Sequence, residues 1–159
     1  AKLGEVMESA LPAAAVIILV TGAGGAFGRV LTETGIGGAV AEVLASSGMP
    51  LMLAAFLITL IMRAAQGSAT VAIATTAGLM LPAVSVLGLD PVHTALVAVA
   101  IGYGGLGLSH VNDSGFWVVT RYLGLSVKDG LRTWTPLTTI LGVAGFLLTW
   151  VLYLAIPVA

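Results

Sequence analysis

Residues 109–117 read Ser-His-Val-Asn-Asp-Ser-Gly-Phe-Trp, a polar stretch with hydrophobic sequence on both sides. A second polar interruption, Gln-Gly-Ser-Ala-Thr at residues 66–70, lies inside another long apolar run. Polar and ionisable groups at membrane depth are costly and usually serve a function. We therefore expect the two polar stretches to face each other inside a membrane and to hold a small anion.

The composition predicts an integral membrane protein. Of the 159 residues, 58% are hydrophobic and 8% are charged, and the mean hydropathy is +1.11, whereas a soluble domain carries about 25% charged residues. The net charge of -1 gives no basic surface for nucleic acid. The absence of cysteine excludes a disulfide framework and a thiolate metal site. The histidines and carboxylates show no spacing typical of a metal site, so we expect no bound metal.

The first part of the chain predicts one crossing helix and one surface helix. Residues 9–28 carry no charge and are long enough for a transmembrane helix. Residues 29–47 mix charged with apolar residues, which predicts a helix that lies at the membrane interface. The first apolar run lacks the basic flank and the cleavage site of a signal peptide, and we expect the chain to be part of a longer protein.

Residues 51–89 are 39 residues with a single charge, Arg63. One continuous helix of this length would measure about 58 Å, roughly twice the hydrocarbon thickness of a membrane. The segment must therefore break, and the polar residues 66–70 mark the place. The economical arrangement is a re-entrant hairpin over residues 51–88 with its tip at 66–70, buried in protein or lining a wet cavity. Two ordinary helices joined by the same polar residues are the alternative.

The second polar stretch predicts a broken helix. Residues 92–124 are largely apolar except for a break at residues 109–115. A last transmembrane helix is expected at residues 133–157, bracketed by the interfacial aromatic residues Trp134, Trp150 and Tyr153. The loop at residues 121–132 has a net charge of +2. The positive-inside rule places this loop in the cytoplasm and the C-terminus on the opposite side.

The two polar stretches predict a binding site for an anion. Where a helix resumes after a break, its first N–H groups are free and lie at the positive end of the helix dipole. Discontinuous helices commonly hold the substrate of a transporter, and hydroxyl and amide groups suit carboxylate and polyol oxygens. The predicted substrate-binding residues are Gln66, Gly67, Ser68, Thr70, Ser109, Asn112, Ser114 and Gly115.

Three ionisable residues in or near the two stretches have alternative interpretations. Asp113 either caps the second half of the broken helix through the N–H groups of Gly115 and Phe116, or carries a coupling proton. His110 either shuttles protons or is a buried histidine with its hydrogen bonds satisfied. Arg63 lies one helical turn before the tip. It compensates the charge of the substrate, or it pairs with an acidic residue or extends to the membrane interface.

Three motifs carry a family resemblance. They are Thr-Gly-Ala-Gly-Gly-Ala-Phe-Gly-Arg-Val-Leu at residues 21–31, Gln-Gly-Ser-Ala-Thr-Val-Ala at residues 66–72, and the polar stretch at residues 109–117. In this order they resemble the gluconate:proton symporter (gluconate permease) family, and the likeness covers nearly the whole chain. The resemblance implies a proton-coupled carrier of gluconate, of a related sugar acid or of D-serine in the bacterial inner membrane. In that membrane, the side to which the positive-inside rule assigns the C-terminus is the periplasm.

The resemblance also implies an architecture and a coupling ion. Carriers of this ion-transporter superfamily contain two inverted repeats, each with a re-entrant hairpin and a broken helix, and this chain resembles the C-terminal repeat. Its partners would be the missing N-terminal repeat, membrane lipid and a small anionic substrate, and a homodimer is compatible with this arrangement. Related dicarboxylate carriers bind sodium through Ser-Asn-Thr motifs, whereas this tip has Gly-Ser-Ala-Thr at residues 67–70. The difference favours protons over sodium, with no other cofactor.

The competing function is an intramembrane enzyme that acts on a lipid or isoprenoid phosphate, with His110 and Asp113 as acid and base. Such an enzyme needs a phosphate clamp, and Arg63 is the only deep basic residue that the sequence offers. A purely structural subunit is a further alternative, in which both polar stretches would be dispensable. We expect a transporter and not an enzyme.

Overall fold

The computed structural model describes residues 46–157 and scattered positions between residues 4 and 43. The transmembrane helix predicted at residues 9–28 and the interfacial helix predicted at residues 29–47 lie, for the most part, outside the described residues. Residues 46–157 form helices without any strand, as the sequence predicted. The helices are α1 (Leu51–Gln66), α2 (Ala69–Leu87), α3 (Pro91–Leu106), α4 (Ser114–Tyr122) and α5 (Val127–Ala155).

Helices α2 and α5 are long and apolar enough to cross a membrane. Helices α1 and α3 are also apolar but shorter, with 16 residues each. The surface of α5 is largely apolar: Leu148 is 61% exposed, Val151 is 62% exposed and Leu154 is 73% exposed. Apolar surface of this extent needs lipid or protein against it, which agrees with an all-α integral membrane protein.

Helices α1 and α2 form a hairpin that turns at Gly67 and Ser68. Gly67 ends α1 with a φ of +75°, a left-handed conformation that glycine adopts without strain. Ser68 begins α2, because its hydroxyl oxygen accepts a hydrogen bond from the N–H of Val71. The hydroxyl of Thr76 in α2 donates to Met62 Sδ in α1, so the two helices fold back against each other.

Helix α3 lies at the centre of the bundle and packs against α1, α2 and α5. It begins after Asp90, whose carboxylate accepts the N–H groups of Val92 and His93. A glycine allows α1 to come close, since a Cβ at Gly104 would lie 2.5 Å from the carbonyl oxygen of Phe56. The buried hydrophobic core consists of Met52, Ala55, Phe56, Met80, Val97, Ala100, Ile101 and Phe146.

The second polar stretch separates α3 from α4, at limits that differ from the predicted ones. Helix α3 ends at Leu106 and α4 begins at Ser114, so the helix break occupies residues 107–113 rather than 109–115. It starts early because Gly107 has an extended backbone, with a ψ of 163°. It ends early because Asp113 already caps α4.

Helix α5 starts at Val127, whereas the sequence predicted a start at residue 133. The hydroxyl oxygen of Ser126 accepts a hydrogen bond from the N–H of Asp129 and so caps the helix earlier. Of the charged residues that were expected in the loop, Lys128, Asp129 and Arg132 therefore occupy the first turns of α5, whereas Arg121 lies in the last turn of α4. With 29 residues α5 is about 43 Å long, which exceeds the hydrocarbon thickness of about 30 Å.

Candidate functional site

The hairpin tip and the helix break are in direct contact. A Cβ placed on Gly67 would lie 2.1 Å from the backbone carbonyl oxygen of Asn112, so only glycine fits between the two segments. The side-chain amide of Asn112 donates a hydrogen bond of 2.7 Å to the carbonyl oxygen of Ala64, in the last turn of α1. The two polar stretches therefore meet, as the sequence predicted.

A buried ion pair joins the same two segments. Arg63 Nη2 lies against Asp113 Oδ2, and the two residues are only 5% and 4% exposed. Arg63 Nη1 donates a hydrogen bond of 2.9 Å to the carbonyl oxygen of Gly67. Arg63 Nε is buried and has no hydrogen-bond partner among the described residues. The arginine thus fixes the hairpin tip to the helix break.

The carboxylate of Asp113 receives donors on both oxygens. Oδ2 accepts hydrogen bonds from Arg63 Nη2 and from the Ser109 hydroxyl. Oδ1 accepts a hydrogen bond of 2.9 Å from the N–H of Gly115, the first of the two capping contacts expected from the sequence. Because every partner donates, the arrangement suits the ionised carboxylate.

Helix α5 holds the helix break from the other side. Trp134 Nε1 donates to the Ser109 hydroxyl oxygen over 2.8 Å, and the Thr135 hydroxyl donates to the Ser109 carbonyl oxygen over 2.6 Å. The N–H of Leu108 donates to the hydroxyl oxygen of Thr139 over 3.2 Å. These α5 residues were not predicted as part of the site. The signal for them was a face of α5 that carries Trp134, Thr135, Thr138 and Thr139, just before the helix becomes almost entirely apolar.

A cavity of about 290 Å³ lies between the hairpin tip, the helix break and α5. Its size is close to the lower end of the range for small-molecule sites, which starts at about 300 Å³. It contains the ion pair and the first residues of both α2 and α4. The lining residues are Arg63, Ser68, Ala69, Thr70, Gly105, Leu106, Ser109, Asp113, Ser114, Gly115, Trp134 and Thr138.

The cavity offers two kinds of hydrogen-bond donor to a ligand. The first-turn N–H groups of α2 and α4 have no carbonyl partner within their own helices. The cap side chains of Ser68 and Asp113 accept hydrogen bonds from only one of these groups each. The hydroxyls of Thr70 and Ser114 make no hydrogen bond to any described residue, and the Ser68 hydroxyl acts only as the acceptor for Val71. These groups, together with Arg63, are suited to oxygen atoms that carry negative charge or hydroxyl hydrogens.

The structure separates the predicted site residues into two groups. Arg63, Ser68, Thr70, Ser109, Asp113, Ser114 and Gly115 line the cavity, whereas Gln66, Gly67, Asn112 and His110 do not. Gln66 and Asn112 are exposed, and Gly67 is covered by Asn112. Nδ1 of His110 lies 2.7 Å from the carbonyl oxygen of Leu108, so the ring makes a local hydrogen bond within the helix break.

A second polar cluster lies at the opposite end of the bundle. His93 is 1% exposed, with Nδ1 against the carboxylate of Asp90 and Nε2 3.3 Å from the carbonyl oxygen of Tyr153. That carbonyl has no helical donor four residues later, because residue 157 is proline. The backbone N–H of His93, with further donors from His93 and Val92, lowers the pKa of Asp90.

The described residues contain no group of three or more His, Cys, Asp or Glu side chains that could hold a metal ion. Only Arg63 and Asp113 carry a formal charge among the residues that line the cavity. The site is therefore built from one ion pair, hydroxyls and backbone N–H groups.

Comparison with known proteins identifies the family. The family model for GntP family permeases matches residues 1–155. The inner membrane permease YgbN of Escherichia coli K12 is 61% identical over 152 residues, which are 96% of this chain and 33% of that protein. The gluconate permease of Bacillus licheniformis is 44% identical over 153 residues, 94% of this chain and 34% of that protein.

The low-affinity gluconate transporter of Escherichia coli K12 is 38% identical over 144 residues, 91% of this chain and 32% of that protein. The chain thus spans about a third of the length of the curated relatives that it matches. No solved structure matches the chain. The resemblance seen in the three sequence motifs is confirmed, and the lipid-phosphate enzyme is not supported, because these relatives are permeases. The chain belongs to the GntP family of permeases, which are membrane transport proteins and not enzymes.

Proposed function

We propose that the protein is a secondary transporter that takes up gluconate or a related sugar acid together with protons across the bacterial inner membrane. The observation that carries the proposal is the cavity between the hairpin tip and the helix break, with a buried arginine and a buried carboxylate in its wall. The names of the relatives, gluconate permease and low-affinity gluconate transporter, support the choice of substrate.

The carboxylate of the substrate would bind near Arg63 and the N-terminal ends of α2 and α4. Helix N-termini favour anions, and Arg63 adds a buried cation to the same wall. The hydroxyls of Ser68, Thr70 and Ser114 would bind the hydroxyl groups of a sugar acid. Gln66, Gly67 and Asn112 would act indirectly, by holding the tip against the break.

The lengths of the helices support a hairpin that ends within the membrane. Helix α1, with 16 residues, is about 24 Å long, which is short for a hydrocarbon core of about 30 Å. The open end of the hairpin lies beside the C-terminal end of α5, since Pro50, Leu87 and Tyr153 line one common pocket. From the level of Thr135, which contacts the break, α5 extends about 12 Å towards Val127 and about 30 Å towards Ala155.

With α5 centred in the membrane, these distances favour a cavity that lies closer to one side of the membrane than to the midplane. The basic residues Lys128 and Arg132 lie on the near side, in the first turns of α5, and the positive-inside rule favours the cytoplasm for that side. In this proposal the C-terminus is periplasmic and the hairpin opens from the periplasmic face. The transport site would be completed by the other inverted repeat of the same protein, and a homodimer is compatible with it.

We assign the coupling proton to Asp113. With Asp113 ionised, the charges of Arg63 and Asp113 cancel within the cavity wall, so an entering anion would add one uncompensated charge to a poorly hydrated site. A proton on Asp113 removes that cost. His110 lies outside the cavity wall and would only relay protons between water and Asp113. The tip contains no Ser-Asn-Thr motif, which favours protons over sodium.

Uptake by proteoliposomes tests this function. The protein, expressed at its full natural length, should accumulate labelled gluconate when the outside is more acidic than the inside, and a sodium gradient should not replace the pH gradient. The Asp113→Asn variant should lose gradient-driven accumulation while gluconate exchange continues. Asp129→Asn is the matched control, because Asp129 is exposed at the start of α5. Accumulation by Asp113→Asn with an unchanged dependence on the pH gradient would refute the assignment.

A further inference from the structure

We propose that Ser109 links proton binding to substrate binding by reversing its hydrogen bond with Asp113, and that Trp134 positions Ser109 for this reversal. The inference rests on the proposed function of the cavity. It goes further, because it assigns Ser109 a place in coupling and brings in Trp134 of α5, which the sequence predicted at the membrane interface and not at the site.

The direction of the hydrogen bonds at Ser109 follows from its neighbours. A serine hydroxyl has one hydrogen to donate and two lone pairs that accept. The indole N–H of Trp134 can only donate, and it lies 2.8 Å from Ser109 Oγ, so it occupies one lone pair. Since Ser109 Oγ also contacts the carboxylate oxygen Oδ2 of Asp113, its single hydrogen points to that oxygen.

Arg63 and Ser109 converge on the same oxygen of Asp113. Both Arg63 Nη2 and the Ser109 hydroxyl donate to Oδ2, while Oδ1 is held by the N–H of Gly115. All three residues Arg63, Ser109 and Asp113 line the cavity. As long as Asp113 is ionised, two donors that border the cavity are therefore committed to Asp113 and not to a ligand.

Protonation of Asp113 changes this arrangement. A proton from water that binds Oδ2 forms one O–H bond and turns this oxygen into a donor. It can then donate to the second lone pair of Ser109 Oγ, which frees the Ser109 hydrogen for an oxygen atom in the cavity. Arg63 loses its anionic partner in the same step and becomes available to a carboxylate. Release of the substrate and of the proton reverses each of these changes.

The surroundings of Asp113 contain no other described charge that could take over this function. Helix α1 contributes Arg63, whereas α2 contributes the uncharged Ser68 and Thr70 to the cavity wall, and α5 contributes Trp134 and Thr138. His110 lies within the same helix break, but its Nδ1 faces the carbonyl oxygen of Leu108. The reversal at Ser109 is therefore the most direct connection between the proton on Asp113 and a ligand in the cavity.

The test measures the affinity for gluconate between acidic and alkaline pH, with full-length protein in detergent or proteoliposomes. In the unmodified protein the affinity should fall as the pH rises. Ser109→Ala should weaken binding at acidic pH by roughly tenfold or more, as expected for one lost hydrogen bond to a charged group, and should flatten the pH profile. Ser109→Thr keeps the hydroxyl and should restore both affinity and profile.

Trp134→Phe keeps an aromatic ring but removes the N–H donor to Ser109. It should therefore alter the dependence of the gluconate affinity on pH, even where the maximal uptake rate is retained. Trp150→Phe is its control, because Trp150 packs against Phe146, away from the cavity. A merely structural role of Trp134 would lower stability without changing the pH profile.

Two outcomes are distinguishable. If the unmodified protein transports gluconate with protons and both Ser109→Ala and Trp134→Phe keep its pH profile, the reversal at Ser109 is wrong and the proposed function stands. If the unmodified protein neither binds nor transports gluconate, the proposed function itself fails. Should Ser109→Ala not fold, Trp134→Phe and Ser109→Thr decide the question.

Discussion

The contact between the hairpin tip and the helix break can be tested with two glycine substitutions. Gly67 and Gly88 both follow the last residue of a helix, with φ angles of +75° and +61°. A Cβ on Gly67 would lie 2.1 Å from the carbonyl oxygen of Asn112, whereas a Cβ on Gly88 would have no atom within 4 Å. Gly67→Ala and Gly88→Ala therefore impose the same kind of backbone strain but differ in one contact.

The expected magnitudes follow from these contacts. A left-handed alanine costs about 1–2 kcal/mol of folding free energy at either position. At Gly67 the tip and the break must also move apart. This movement breaks the hydrogen bond from Asn112 to Ala64 and loosens the one from Arg63 to Gly67, together worth about 2–4 kcal/mol. We expect a loss of about 1–2 kcal/mol for Gly88→Ala and about 3–6 kcal/mol for Gly67→Ala.

The measurement is unfolding of the purified full-length protein by heat and by denaturant, followed by gluconate uptake at varied concentration. Gly67→Ala should raise the KM for uptake, because the movement displaces Arg63 and Ser68 at the cavity, whereas Gly88→Ala should leave the KM unchanged. Equal destabilisation by the two substitutions, with equal KM values, would refute the contact between the tip and the break.

Further predictions concern the two polar clusters. Arg63→Met should cost about 3–5 kcal/mol, because it leaves the buried carboxylate of Asp113 unpaired, and Arg63→Met combined with Asp113→Leu should cost less than the sum of the single changes in thermal unfolding. His93→Leu removes the donor to the carbonyl oxygen of Tyr153 and should cost about 1–3 kcal/mol, with a smaller loss for His93→Gln. The lowered pKa of Asp90 means that its stabilising contribution is present above the pKa of an unfolded aspartate and is lost as the pH falls through the lower folded value. The stability difference between the unmodified protein and Asp90→Asn should therefore vanish at strongly acidic pH. A difference that grows on acidification would contradict the lowered pKa of Asp90 in the folded protein.

The positions of the interruptions could be predicted from the sequence because their signals are local. Glycine and serine at residues 67 and 68 stop one helix and cap the next. The same holds for Asp113, which caps α4. The length of the apolar run at residues 51–89 required a break, and the polar residues 66–70 marked its place. We expected the two polar stretches to meet because polar groups are costly at membrane depth. The close approach of Gly67 to Asn112 agrees with this expectation.

The partners of the site residues could not be predicted, since they depend on packing between distant segments. Arg63 and Asp113 are 50 residues apart, and the ion pair between them is visible only in the structure. Trp134 was interpreted as an interfacial aromatic residue, although its N–H bonds Ser109. The early start of α5 was missed because charged residues near a membrane boundary are equally compatible with a loop and with the first turns of a helix.

The most direct test of the account is a structure of the full-length protein with gluconate bound, determined at acidic pH. We predict ligand density in the cavity between Ser68, Ser109 and Ser114, with the carboxylate near Arg63 and with the tip still in contact with Asn112. Density for gluconate at a site that does not include the cavity, or a hairpin tip separated from the helix break, would contradict it.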